Sequence, residues 1–190
     1  MMNTLPDYLA PDLKAISVGL NPSLPSVEAG FYFANPRNRF WRAFNASGLV
    51  DQVLVPSREA MRKLLRNHSI GFTDVVKKPS ANASRLRAAD YLKWAPVLRE
   101  KLIRYQPCMV WFHGKVAYAN YLRYAESSVP NIAWGLQNKR IGNSWVYVTP
   151  NSSPANAQYS LPDLIRWYQL LNRQMIKRCC QVPFKSSVEL

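Results

Sequence analysis

Asn21 stands in Gly19-Leu20-Asn21-Pro22-Ser23, directly after the short apolar run Ala15-Ile16-Ser17-Val18. Pro22 biases Asn21 toward extended backbone. A glycine before and a proline after predict a sharp turn at the end of a buried strand. Such a turn holds one amide in a defined place. An amide both donates and accepts hydrogen bonds, so it can hold a water against a substrate group. The alternative is a turn asparagine that satisfies its own backbone. Further on, Gly30-Phe31-Tyr32-Phe33-Ala34-Asn35-Pro36-Arg37-Asn38-Arg39-Phe40-Trp41 interleaves aromatic rings with Arg, Asn and Pro. Rings stack on bases and Arg meets phosphate, while Phe40 and Trp41 read as core. Asp74 closes Gly71-Phe72-Thr73-Asp74. Its carboxylate could activate a water or accept an N–H, or it could cap a turn near the surface. His113 reads as an interior or strand-end histidine, His68 as a surface helix end and Cys108 as core.

Composition narrows the partners. The 190 residues carry 25 Lys and Arg against 11 Asp and Glu, a net charge of +14. Nucleic acid is the first expectation for such a surface, with an anionic membrane face second. A hydrophobic fraction of 48% excludes global disorder. No apolar run reaches the roughly 18 residues of a membrane span, and Met1 to Lys14 lacks a secretory layout. Three cysteines, an odd number, argue against a disulfide framework and for a reducing compartment. They are too few for a four-cysteine iron–sulfur cluster.

The elements that would position these residues alternate between strand and helix patterns. Ala15–Val18, Cys108–Phe112 and Trp145–Thr149 read as strands, and the continuous apolar run Cys108–Phe112 suits one covered on both faces. Asn38 can cap a helix carrying Phe40, Trp41 and Phe44, stopped at Gly48. Ser57–Asn67 predicts an amphipathic helix, and Lys115–Tyr124 another. Pro96 suggests the first turn of a helix burying Leu98, Leu102 and Tyr105. Ser160 and Asp163 open a last helix on Leu164, Tyr168, Leu171 and Met175. The expectation is α/β: a three-layer α/β/α single domain over 1–176 with a short, mainly parallel sheet, and a loose tail over 177–190. In such sheets ligands bind at the carboxyl ends of the strands.

The stretch Gly19 to Trp41 resembles the first motif of the mismatch-specific uracil/thymine DNA glycosylases, within the uracil-DNA glycosylase superfamily. That motif has a strand ending in glycine, an apolar residue, asparagine, proline and glycine, then a phenylalanine loop and an N-x-F-W helix start. Gly71–Asp74, Gly114-Lys115-x-Ala117-Tyr118, Trp134-Gly135 and the Pro150–Gln158 loop follow in family order, so the resemblance covers Lys14 to Leu171. It implies a double-stranded DNA partner with a mispaired or damaged base, no cofactor and no metal. Asn21 takes the position of the asparagine that orients the attacking water. Phe33 takes that of the ring stacking on the flipped pyrimidine. Leu20, Ser23 and Asn38 would shape the pocket, with the Leu20 or Phe33 N–H donating to the leaving anion. Asn151, Ser152, Ser153, Pro154, Ala155 and Asn156 match the segment that enters the duplex. Here the chain departs from the family: Ala155 stands where a bulky wedge is usual, and Asn156 is the alternative filler. Ser23 replaces the usual glycine and would narrow the pocket against the thymine methyl.

The resemblance implies a monofunctional DNA repair glycosylase of base excision repair. It would flip uracil, chiefly from G·U mispairs, and hydrolyse it off, leaving an abasic site. Asp74 joins Asn21 as a catalytic candidate. Lys77, Lys78, Arg85 and Lys115 are expected to touch phosphate, with Lys77–Arg87 a mobile loop. Two alternatives stay open: hypoxanthine or another deaminated base as substrate, or a non-catalytic nucleic-acid-binding domain. A monomer is expected, away from membranes, in the cytoplasm or nucleoid of a bacterium or the nucleus of a eukaryote.

Overall fold

The computed structural model describes residues 4–128 and 131–179. Among these, five strands form one sheet in the order β2-β1-β3-β5-β4. They are β1 (Ala15–Gly19), β2 (Ile70–Asp74), β3 (Met109–His113), β4 (Gly135–Leu136) and β5 (Trp145–Thr149). The first three and β5 run parallel, and β4 alone is antiparallel at the edge. Every residue of β1, β2 and β3 is buried, as strands covered on both faces require.

The covering helices are α1 (Leu24–Ala29), α2 (Phe40–Asn45), α3 (Arg58–Asn67), α4 (Ala88–Tyr105), α5 (Lys115–Ala125) and α6 (Leu161–Cys179). One core joins Ala15, Ile70, Phe72, Met109, Trp111 and Tyr147 to α2, α3 and α6. The other joins Ile16, Val18, Val110, Phe112, Val146 and Val148 to α4 and α5. The period-2 alternation of strand side chains therefore sends alternate residues into two aromatic-rich layers. This is the expected three-layer α/β/α arrangement. No helix among the described residues is long and apolar enough to cross a membrane.

Several expectations change. The helix assigned to Pro96 begins eight residues earlier, at Ala88, where Asp90 Oδ2 accepts the Arg87 N–H at 3.0 Å. Its buried face starts at Tyr91 and Ala95 before Leu98 and Leu102. Pro96 sits mid-helix on the solvent side, so the Leu92 carbonyl it leaves unpaired faces water. The α2 helix stops at Asn45 rather than at Gly48. The α6 helix runs through Cys179, past the expected start of the tail, whose remainder lies outside the described residues. The absence of a disulfide is also overturned. Cys179 at the end of α6 is bonded to Cys108 at the head of β3, with 5.6 Å between Cα atoms.

Candidate active site

The order β2-β1-β3 places β1's two parallel neighbours on opposite sides. This makes the gap beyond β1 and β3 the switch point where such sheets bind ligands. Asn21, Asp74, His113 and the loop after β5 all lie at this carboxyl end.

Asn21 follows β1 by two residues and is half-buried. Its Nδ2 donates to the Lys78 carbonyl at 3.0 Å, to Ser80 Oγ at 2.8 Å and to the Pro22 carbonyl at 3.3 Å. Ser80 Oγ in turn donates to the Asn82 carbonyl, so toward Asn21 it accepts. Three acceptors around one nitrogen fix which way the amide points. Oδ1 faces away from them and accepts from no described residue. It is an open acceptor on an immobilised group. The turn reading describes the Nδ2 end of this amide.

Phe33 lies flat on Phe40, with ring centroids 3.9 Å apart and planes 14° from parallel. Its backbone sits at φ +58°, in the left-handed region that a bulky residue rarely enters. The Phe33 N–H has no hydrogen-bond partner among the described residues. The loop is held by a hydroxyl chain: Ser23 Oγ donates to Ser26 Oγ at 2.9 Å, which accepts the Ala34 N–H at 3.2 Å. Ser23 also caps α1. Its hydroxyl is thus turned onto α1. Leu20 is half-buried, and its carbonyl accepts the Val76 N–H at 2.9 Å. The N-cap of α2 is Arg39 rather than the expected Asn38, which stands one residue earlier and accepts the Phe40 N–H through Oδ1 at 2.9 Å.

His113 ends β3 in the interior. Its Nε2 pairs with Ser17 Oγ at 2.7 Å, while Nδ1 has no partner among the described residues. Phe33 and Trp111 lie 5.0 and 4.3 Å away, ring to ring. Burial pushes its pKa down to about 3, so the imidazole is neutral.

Asp74 is not a surface cap. It ends β2, is buried, and projects an oxygen against Gly19, where a Cβ would come within 2.6 Å of it. Gly19 is therefore required by the carboxylate beside it. Burial raises the Asp74 pKa to about 6, opposed by Lys77. Lys77 is buried as well, bonded to Asp7 Oδ1 at 2.8 Å and Asp74 Oδ2 at 3.4 Å. It cannot reach a phosphate, which corrects that expectation. Lys78 is tied to Asp90 at 2.9 Å. The Lys77–Arg87 segment carries a 3-10 turn at Ala83–Arg85 capped by Asn82, with Arg85 exposed. Lys115 opens α5 with its ammonium 4.8 Å above the Trp134 ring.

The loop after β5 is organised by a residue given no such role from sequence. The Arg39 guanidinium donates to the carbonyls of Ser153 at 2.8 Å, Asn156 at 2.7 Å, Ser152 at 3.4 Å and Tyr159. Four loop carbonyls thus converge on one planar, five-donor group. Asn151 Oδ1 accepts the Ser153 N–H, and Asn156 Nδ2 donates to the Asn151 carbonyl, both at 2.9 Å. The Asn156 amide is folded back to close the loop, leaving Pro154 and Ala155 as its exposed tip. Ser152 is buried at its base. The signal for Arg39 was its place inside N-x-F-W, but its partners are distant in sequence.

Residues 6–176 match the Uracil DNA glycosylase superfamily. The chain belongs to that superfamily. A solved relative in fold is the solution structure of a candidate uracil DNA glycosylase from Methanosarcina acetivorans. It aligns with a TM-score of 0.57 and 22% identity, covering 90% of this chain and 98% of that one. Superfamily membership supports DNA glycosylase activity, hydrolysis of a base-to-sugar bond in DNA.

Proposed function

We propose that this glycosylase is monofunctional and mismatch-directed, flipping uracil from G·U pairs and releasing it by hydrolysis to leave an abasic site. The observation that carries the reading is the pinned Asn21 amide with its open Oδ1. Extruding a base costs a few kcal/mol, least when it is mispaired, which by itself favours G·U. The extruded pyrimidine would stack on Phe33 while the Pro154–Ala155 tip fills the gap it leaves. As the glycosidic bond breaks, its electron pair leaves with the pyrimidine and the sugar carbon becomes cationic. Asn21 Oδ1 accepts one proton of a water and aims its oxygen at that carbon. Asp74, ionised above its raised pKa of about 6, takes the proton released as the new C–O bond forms. The Phe33 N–H is an unoccupied donor for charge on the leaving base. The lysine beside the site, Lys77, has its ammonium engaged by Asp7, the Tyr32 hydroxyl and Asp74, which supports a reaction without a Schiff base and an intact strand.

Single-turnover assays on duplexes holding uracil, thymine or hypoxanthine opposite guanine test the substrate. Uracil should be released fastest, with an alkali-labile abasic site and no enzymatic strand break. Faster release of hypoxanthine would overturn the base assignment. Salt-sensitive binding with no base release would overturn the enzymatic reading of this chain.

A further inference from the structure

The N-terminal segment precedes the first sequence motif, although the superfamily match takes it in from residue 6, and it reaches the site. Tyr8 and Phe72 exchange backbone hydrogen bonds at 2.9 and 2.8 Å, and the Thr4 hydroxyl donates to the Lys77 carbonyl at 2.6 Å. This lays Asp7 beside the end of β2. Asp7 Oδ1 accepts from the Thr73 hydroxyl and the Lys77 ammonium, each at 2.8 Å, and Oδ2 accepts from Lys101 of α4 at 2.6 Å. An ammonium has three protons, and Lys77 has three acceptors: Asp7 at 2.8 Å, the Tyr32 hydroxyl at 3.1 Å and Asp74 at 3.4 Å. Two carboxylates compete for one buried cation, and the nearer is Asp7. Asp74 is left under-compensated, with 3% of its side chain exposed.

We propose that Asp7 and Lys77 are positioning residues that set the protonation of Asp74, so that the N-terminal segment governs the pH range of the reaction. The proposal rests on Asp74 as the acceptor of the water's proton. The charged and titratable groups facing this cluster are Asp7 from the N-terminal segment, Tyr32 from the loop after α1, Lys77, and Lys101 from α4. Removing the Asp7 charge frees Lys77 for Asp74 and favours the carboxylate. Removing Lys77 leaves two buried carboxyl groups facing each other and favours the acid. The two changes must move Asp74 in opposite directions, whereas loss of a merely structural contact would lower rates without opposed shifts.

The test is a 13C carboxyl NMR titration of Asp74 in the full chain, beside the pH profile of single-turnover uracil release. Asp7→Asn should lower the Asp74 midpoint by about one unit or more, and Lys77→Met should raise it similarly. Lys77→Arg should keep it near the wild-type value. The acid limb of the rate profile should follow each midpoint. Midpoints that stay put, or move together in one direction, overturn the proposal. Should Lys77→Met not fold, a fixed midpoint in Asp7→Asn overturns it alone. Midpoints that move while the rate limb does not would contradict the catalytic reading of Asp74 and leave the charge control standing.

Discussion

At the scale of single residues, the candidate site holds buried charge at a cost to stability. Asp74 is one. Its carboxyl has an ordinary pKa of 3.8, and burial raises it to about 6 in the folded chain. Below 3.8 it is protonated folded or unfolded and costs nothing. Between these values the folded state holds a proton that the unfolded state releases, so stability falls as pH rises and the full penalty applies above 6. Asn mimics the protonated acid. Asp74→Asn should therefore melt higher than wild type at pH 8, by roughly 1–3 kcal/mol, with the gain fading toward pH 4. Uracil release should be lost with it. Equal melting at both pH values would refute the raised pKa. Gly19→Ala is the complementary change, because its Cβ would lie 2.6 Å from the Asp74 carboxylate. That overlap should cost about 1–3 kcal/mol by thermal melting and lower the rate as well. The turn that carries Asn21 was legible from sequence because Gly19 and Pro22 are its neighbours, whereas the Lys78 and Ser80 acceptors that pin its amide lie 57 and 59 residues away. The Asp7–Lys77–Asp74 cluster was not legible: Asp7 and Lys77 lie 70 residues apart, and composition counts Lys77 as one more surface cation.

At the scale of elements, Arg39 joins the start of α2 to the loop after β5 through four carbonyls. Arg39→Ala should lower uracil release roughly 10- to 10²-fold through a loosened loop. Arg39→Lys should not restore it, since a single ammonium cannot match a planar five-donor fork. Fluorescence of 2-aminopurine beside the target base reads extrusion directly, and unchanged extrusion in Arg39→Ala would exclude this role. The amphipathic helices α3 and α6 were readable because their apolar spacing matches the 3.6-residue period. The α4 start was missed because Pro96 resembles a first-turn proline, although Tyr91 and Ala95 already carried the pattern. The short α1 and the two-residue β4 have too few residues for any period. Cys108 and Cys179 meet only because α6 returns along the sheet to the head of β3, an event no spacing encodes. Their bond closes a separation of 71 residues. Reduction should lower stability by about 4 kcal/mol, and a melting temperature unchanged by dithiothreitol would show that the bond contributes none of it.

At the scale of the whole molecule, the +14 charge is unevenly available. Lys77, Lys78, Lys101, Arg99 and Lys139 are engaged with carboxylates. Phosphate binding then falls to cations such as Arg85, which is exposed on its 3-10 turn. Arg85→Ala should reduce the slope of log affinity against log salt by about one, and Lys77→Met should leave it unaltered. The fold and the superfamily were readable from sequence because strand punctuation, glycine turns and helix periods are local. The shape of the loop after β5 was not, because it depends on Arg39 and on the folded-back Asn156 amide. The most direct measurement of the central claim is single-turnover uracil release from a G·U duplex by wild type and Asn21→Ala, with binding to the same duplex measured in parallel. The pinned amide predicts a rate loss of about 10²-fold or more, with affinity nearly unchanged. Equal rates in the two proteins would show that Asn21 does not position the attacking water.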